Sequence, residues 1–232
     1  ILSELNFPFS IFISTSFISQ NNNNDFMNWK IIKNLKKNNV EIYSHGHTHE
    51  SFLKMSIEAV KEDILISESI LKSELNISNK LISFPYGESN ESIKNLLRDI
   101  KYETAFGQHS GVINIESDFL NLPRFAINEN FGNMKRFKRI LNYSRLNTFN
   151  VIPLDSSIKG PVKEISFSSD KPLNKINCYL KNEVLEKIIS DEKLILNLEG
   201  KLKEGRNRIN CTFIDQNGSV YWYSRILVND GR

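Results

Sequence analysis

The sequence predicts an α/β fold, a parallel sheet or (α/β) barrel, followed by a small all-β sandwich-like unit. Three observations carry that prediction. Up to about residue 110, short β-branched and aromatic runs alternate with stretches of helical periodicity, the pattern of βαβ units. After about Asn150 the helical period fades, and short alternating runs appear between turn signals. Finally, a histidine cluster stands where a strand opens into a loop, which is where α/β folds place their sites.

The elements follow in order. Phe9–Thr15 is a mostly apolar run rich in β-branched and aromatic residues, as a buried parallel strand requires. Gln20 to Asn24 is a polar loop, and Asp25 is expected to cap a helix over Phe26–Lys37, where Trp29, Ile32 and Leu35 recur at helical spacing. Glu41–Tyr43 is a strand. Ser56 is expected to cap a helix reaching about Leu75, with Ile57, Val60, Ile64 and Leu71 on one face. Leu81–Phe84 is a strand ended by Pro85-Tyr86-Gly87. Ser89 or Asn90 starts a helix carrying Ile93, Leu96 and Leu97, and Glu103–Phe106 is a further strand. The late strands are expected at 164–167, 175–179, 193–198, 208–213 and 220–228, with a linker over 151–161. The domains expected are thus 1–150, partial at its N-terminus, and 162–232.

At 232 residues the chain has room for one large domain or two small ones. Net charge is +3 with both signs interspersed, too balanced to argue for nucleic acid. No apolar run has the length of a membrane span. Position 1 is Ile, and the first residues read as the end of a helix running into a strand, so the chain is expected to start within a domain. Cys178 and Cys211 both follow Asn in similar late strands. A disulfide between them is expected, and with it a periplasmic, cell-envelope or secreted location; two buried free thiols are the alternative.

Three of the four histidines fall in Ser44-His45-Gly46-His47-Thr48-His49. Neutral imidazole is a common ligand for zinc and similar metals. On a helix start His45 and His49 would face one ion; on an extended strand all three rings would share one side; a solvated loop is the bland alternative.

Four fragments occur in succession: Ser44–His49, Phe84-Pro85-Tyr86-Gly87, Phe106-Gly107-Gln108-His109-Ser110-Gly111, and Leu122-Pro123-Arg124-Phe125. Together they resemble the NodB-type polysaccharide deacetylases, the family-four carbohydrate esterases, over roughly residues 1–145. The resemblance implies an incomplete, distorted (β/α) barrel. It implies His45 and His49 as ligands of a divalent metal, zinc above all, with His47 turned away to orient the loop. Gly46 stands where that family prefers Ser or Thr, and Glu50 where it prefers Pro, so a loop-fixing hydroxyl is expected to be lost at 46. Pro85 and Gly87 are expected at the substrate, and the Tyr86 N–H at the oxyanion; a plain turn is what Pro-Tyr-Gly alone would mean. The family's Asp-Asp pair, general base and third ligand, has no match here and is expected upstream of Ile1. Its Leu-x-His motif is also absent, which leaves His109 as the candidate acid or else a hydrogen-bonding cleft residue. Arg124 would pair with the missing Asp or with substrate, or form an ordinary surface ion pair.

The reaction implied is hydrolytic removal of N-acetyl groups from an amino-sugar polysaccharide or glycan, with low activity expected of the stretch as it stands. Two other readings compete with it. An amidohydrolase-type metal enzyme would use His45-Gly46-His47 but needs more late histidines than His109. A non-catalytic carbohydrate-binding module on the same fold needs no base. In the late unit, Trp222 alternates with Tyr221 and Tyr223 and so faces the other side. Docking against the first unit is its expected role, with sugar binding the alternative, and Arg206-x-Arg208-x-Asn210-Cys211 has no assigned purpose.

Overall fold

The computed structural model describes residues 2, 4–18, 26–38, 40–160 and 162–230. Four strands, β1 (Ser10–Ile13), β2 (Glu41–Ser44), β3 (Leu81–Ser83) and β4 (Thr104–Phe106), form one parallel sheet in that order. Each consecutive pair is linked by a helix: α1 (Trp29–Lys37), α2 (Ile57–Leu75) and α3 (Glu91–Asp99). A single parallel bridge, Phe106 to Leu122, extends the sheet beyond β4.

Local chemistry sets the helix ends. Ser56 Oγ accepts the Ala59 N–H and Asn90 Oδ1 accepts the Ile93 N–H, both as expected of N-caps. Asn76 ends α2 in the left-handed conformation, which Asn tolerates. α1 starts later than the sequence predicts. Asn28 Oδ1 accepts the Ile31 N–H and the helix begins at Trp29; Asp25 lies outside the described residues. Val60, Asp63, Ile64, Ser67, Leu71 and Leu75 form the buried stripe of α2. Val60 and Ile64 are fully buried, each stabilising the fold by roughly 1.5–3 kcal/mol.

The chain then forms α4 (Met134–Ile140) and a run of strands: β5 (Tyr143–Arg145), β6 (Thr148–Ile152), β7 (Ser157–Ile158), β8 (Glu164–Ser169), β9 (Asn177–Leu180), β10 (Glu183–Val184), β11 (Lys187–Ser190), β12 (Lys193–Asn197), β13 (Gly205–Ile214) and β14 (Val220–Asn229). One sheet runs β10-β9-β13-β14-β5, with β7 also on β14; the other runs β11-β12-β8-β6. Side chains from both, among them Phe167, Leu194, Ile209 and Leu227, share one buried cluster.

Two expectations need correction here. β5 and β6 lie before or across residue 150, yet they pair with β14 and β8. Residues 151–161 hold the end of β6 and all of β7 rather than a plain linker. Short strands of this kind are fixed by partners far along the chain, which local pattern does not reveal.

Cys178 and Cys211 sit opposite each other on β9 and β13 and are joined by a disulfide. On β13 the buried residues alternate: Asn207, Ile209, Cys211 and Phe213 point into the late core. Arg206, Arg208 and Asn210 therefore occupy the opposite face. Among the described residues, no helix is long and apolar enough to cross a membrane.

Candidate active site

The loop after β2 carries the three histidines. Its entry is fixed by the neighbouring strand: His45 N–H bonds Ile13 O at 2.8 Å, and Ser16 N–H bonds His47 O at 3.1 Å. The loop is neither a helix start nor an extended strand, because Gly46 (φ 77°) and His49 (φ 61°) both take left-handed backbone. That double reversal folds the chain so that the His45 and His49 rings meet, centroids 4.9 Å apart at 68°.

Asp63, buried in the α2 stripe, holds this shape. Its Oδ1 accepts the His47 N–H at 2.7 Å; its Oδ2 accepts the Thr48 N–H at 2.8 Å and the Thr48 hydroxyl at 2.7 Å. Hydrogen bonds to an ionised carboxylate are the strong kind. A Cβ at Gly46 would stand 2.7 Å from Asp63 Oδ1. Glycine at 46 is thus a fitted position, and the loop's fixing bonds come from α2 instead of a hydroxyl at 46. Nothing in the histidine motif points to Asp63. The one sequence signal is an acid on the apolar stripe of α2, three residues after Val60.

The His45 Nδ1 lies 2.7 Å from the backbone oxygen of Ser83 and 2.7 Å from its hydroxyl. A carbonyl oxygen only accepts, so Nδ1 carries the proton and Nε2 keeps its lone pair. A ligand imidazole needs that tautomer, fixed by an outer hydrogen bond. Burial lowers the His45 pKa most; the Ser83 bond raises it, and His49 and Arg124 lower it further. The ring is therefore neutral at neutral pH and free to donate an electron pair. His47 is tied elsewhere, its Nδ1 2.8 Å from the Thr15 hydroxyl.

The Pro85-Tyr86-Gly87 turn closes over the pair. The Tyr86 ring stands 5.0 Å from that of His49, and Phe17 flanks His49 from another side at 6.1 Å. Tyr86 is half-exposed with φ 58°. Pro85 and Gly87 are buried, and a Cβ on Gly87 would lie 2.4 Å from the Gln108 backbone nitrogen. Gly87 thus allows close approach of another chain segment. From the late sheet, Arg206 donates to the Tyr86 carbonyl oxygen, to Gln108 Oε1 at 2.6 Å and to Glu88 Oε1 at 3.4 Å. Arg208 donates to the Gln108 backbone oxygen at 3.1 Å. The arginine motif that sequence left unassigned is a clasp on the turns beside the imidazoles.

Arg124 is held by Nε–H donation to Gly107 O at 2.9 Å, and its charge is felt at His45. Burial lowers its own pKa. His109 stands apart from this group. It lines a cleft between the first unit and the late sheet, a cleft with neither His45 nor His49 on its wall. Burial, with Arg145 and Arg208 next, lowers its pKa to about 4. The ring is neutral at neutral pH and faces a cavity apart from the imidazole pair.

Among the described residues, no group of three or more His, Cys, Asp or Glu gathers to hold one ion. Two imidazoles with a free Nε2 on His45 fit a divalent cation in part; a third protein donor is not among them.

Residues 1–105 match the family model described as polysaccharide deacetylase. No curated protein matches the chain. Among solved structures, the Streptococcus pyogenes deacetylase PplD in complex with acetate is similar at TM-score 0.55 and 17% identity, over 59% of this chain and 60% of that one. A de-N-acetylase from Aggregatibacter actinomycetemcomitans is similar at TM-score 0.50 and 15% identity, over 59% of this chain and 66% of that one. The chain thus spans roughly 60% of the length of these neighbours, and at such identities they establish the fold. The α/β unit of residues 1–105, which holds the imidazole pair, thus matches the polysaccharide deacetylase model and shares its fold with solved deacetylases.

Proposed function

We propose that this chain is the metal-binding part of a hydrolase that removes N-acetyl groups from an amino-sugar polysaccharide or glycan. The observation that carries the reading is the meeting of His45 and His49, with His45 Nδ1 committed to Ser83. His45 and His49 would hold a divalent ion, zinc by the chemistry of imidazole donors. When bound, such an ion supplies Lewis acidity toward an acetyl carbonyl and a water molecule. The chain's own part is to orient the rings through Ser83 and Asp63, and to present the Tyr86 N–H to the developing oxyanion. Arg124 adds positive charge near the reacting carbonyl. We further propose that the four parallel strands belong to an incomplete (β/α) barrel, and that the two late sheets form a sandwich-like accessory unit clasping it through Arg206 and Arg208. The buried disulfide supports an oxidising compartment, envelope or secreted.

A second reading, a carbohydrate-binding module without catalysis, is favoured by one observation: no carboxylate of the described residues joins the two imidazoles. Acetate release from N-acetylglucosamine oligomers, measured with added zinc, separates the two. Metal-dependent release that is lost in His45→Ala supports the hydrolase. Because little release is expected of the stretch as it stands, the hydrolase is overturned by retention of the oligomer with neither acetate release nor zinc binding by the folded chain.

A further inference from the structure

The cleft that His109 lines has a volume of about 270 Å³ and runs between residues 87–123 and the outward face of the late sheet. Cross-strand register puts Trp222 opposite both Thr212 and Arg145, and Ser224 opposite Asn210. Residues directly opposite share a face, so this face carries Arg145, Arg208, Asn210, Trp222 and Ser224.

That face is half-buried, and several of its polar atoms are shielded from solvent yet lack partners. Arg145 Nε, Arg208 Nε, Asn210 Oδ1, Trp222 Nε1 and Ser224 Oγ are all shielded from solvent without a hydrogen bond among the described residues, as is Asn121 Oδ1 across the cleft. Ser224 is only 4% exposed. Each orphaned group costs about 1–3 kcal/mol unless something in the cavity meets it. Three of the six orphans are N–H donors, the Ser224 hydroxyl can donate as well, and the two amide oxygens accept.

Charge points the same way. Arg145, Arg208 and Arg225 have no ion pair among the described residues, and all three disfavour the charged form of His109. The acids at the rim are already matched: Lys94 pairs with Glu91 and with Asp118, and Arg206 with Glu88. Glu116 is exposed. Beside the donors, Trp222 stacks on Tyr143 at 5.6 Å and 9°, with Phe125 edge-on at 6.2 Å. The result is a donor-rich, positively charged wall next to a flat aromatic surface.

We propose that this cleft is a binding site for a sugar-sized ligand bearing a carboxylate or phosphate group, with Arg145, Trp222 and Ser224 donating to the anion. The volume suits one such residue and falls just below the usual range for larger ligands. The site is separate from the imidazole pair and stands or falls independently of it.

The test is titration of the chelator-treated 232-residue chain by calorimetry and tryptophan fluorescence. The probes are glucuronate, glucose 6-phosphate, inorganic phosphate and uncharged glucose. The expected result is saturable one-to-one binding of at least one anionic probe, with glucose at least tenfold weaker. Preference for glucuronate identifies a carboxylated glycan as the source, and preference for either phosphate probe a phosphorylated one. Arg145→Gln should weaken binding at least tenfold and Trp222→Phe severalfold, whereas His45→Ala should leave it unchanged. Trp222→Phe keeps an aromatic ring and removes the Nε1–H donor, so it serves if Arg145→Gln fails to fold. The proposal is overturned if no probe saturates, if glucose binds equally well, or if folded Trp222→Phe binds like the parent.

Discussion

Asp63 and His47 are 16 residues apart in the chain, yet the Asp63 Oδ1 accepts the His47 backbone N–H at 2.7 Å. Through this bond the long helix after the histidine loop dictates where both flanking imidazoles point. Asp63→Ala would strand two backbone N–H groups and the Thr48 hydroxyl. Loss of about 3 kcal/mol of stability is expected, with at least a tenfold loss in zinc affinity. Urea unfolding and zinc titration of the variant check the two halves separately.

Installing the hydroxyl that related sequences prefer should harm this chain. Gly46→Ser puts a Cβ 2.7 Å from the Asp63 carboxylate at a φ of 77°, and about 2 kcal/mol of destabilisation is expected. Gly87→Ala, directed into the Gln108 backbone, should cost about 3 kcal/mol. Thermal unfolding of each single variant measures both.

His109 gives the stability a pH dependence. Its folded pKa is about 4, lowered by burial and by nearby arginines, against about 6.5 for an unfolded histidine. Between those values the unfolded chain binds a proton that the folded chain refuses. Stability is therefore full above about pH 6.5 and falls as pH drops toward 4, by on the order of 2 kcal/mol once partial exposure is allowed for. Denaturant unfolding of the parent and of His109→Gln from pH 7.5 to 4.5 checks this; the variant should have the shallower slope.

The Cys178–Cys211 disulfide closes a loop of sequence separation 33 within the late sheet. Paired Cys→Ser substitution should lower stability by about 3 kcal/mol through the freed unfolded chain. Zinc binding at His45 and His49 should persist at low temperature, because the bridge lies within β9 and β13. Calorimetric unfolding together with a zinc titration on the double variant tests both statements.

What was legible in the sequence was local. Ser56 and Asn90 announce helix starts because a cap acts on an N–H three residues on. The cysteine pair was legible because both residues sit at like positions in alternating strands. Asp63 was not, since a carboxylate on a helix reads as a solvated face until a loop folds over it. Tyr143–Arg145 and Thr148–Ile152 were missed for a related reason. Each becomes a strand only against a partner well along the chain, β14 for one and β8 for the other. The surroundings of His109 were not legible either: it follows a strand of the first sheet, but its burial, with the late sheet's Arg145 and Arg208 beside it, appears only in the fold.

The central claim is that His45 and His49 grip one divalent ion together. Calorimetric titration of the untagged chain with zinc tests it most directly. One zinc per chain is expected, lost in His45→Ala and in His49→Ala and kept in His47→Ala. Undiminished zinc binding in both His45→Ala and His49→Ala, or no zinc binding by the folded parent, would contradict it.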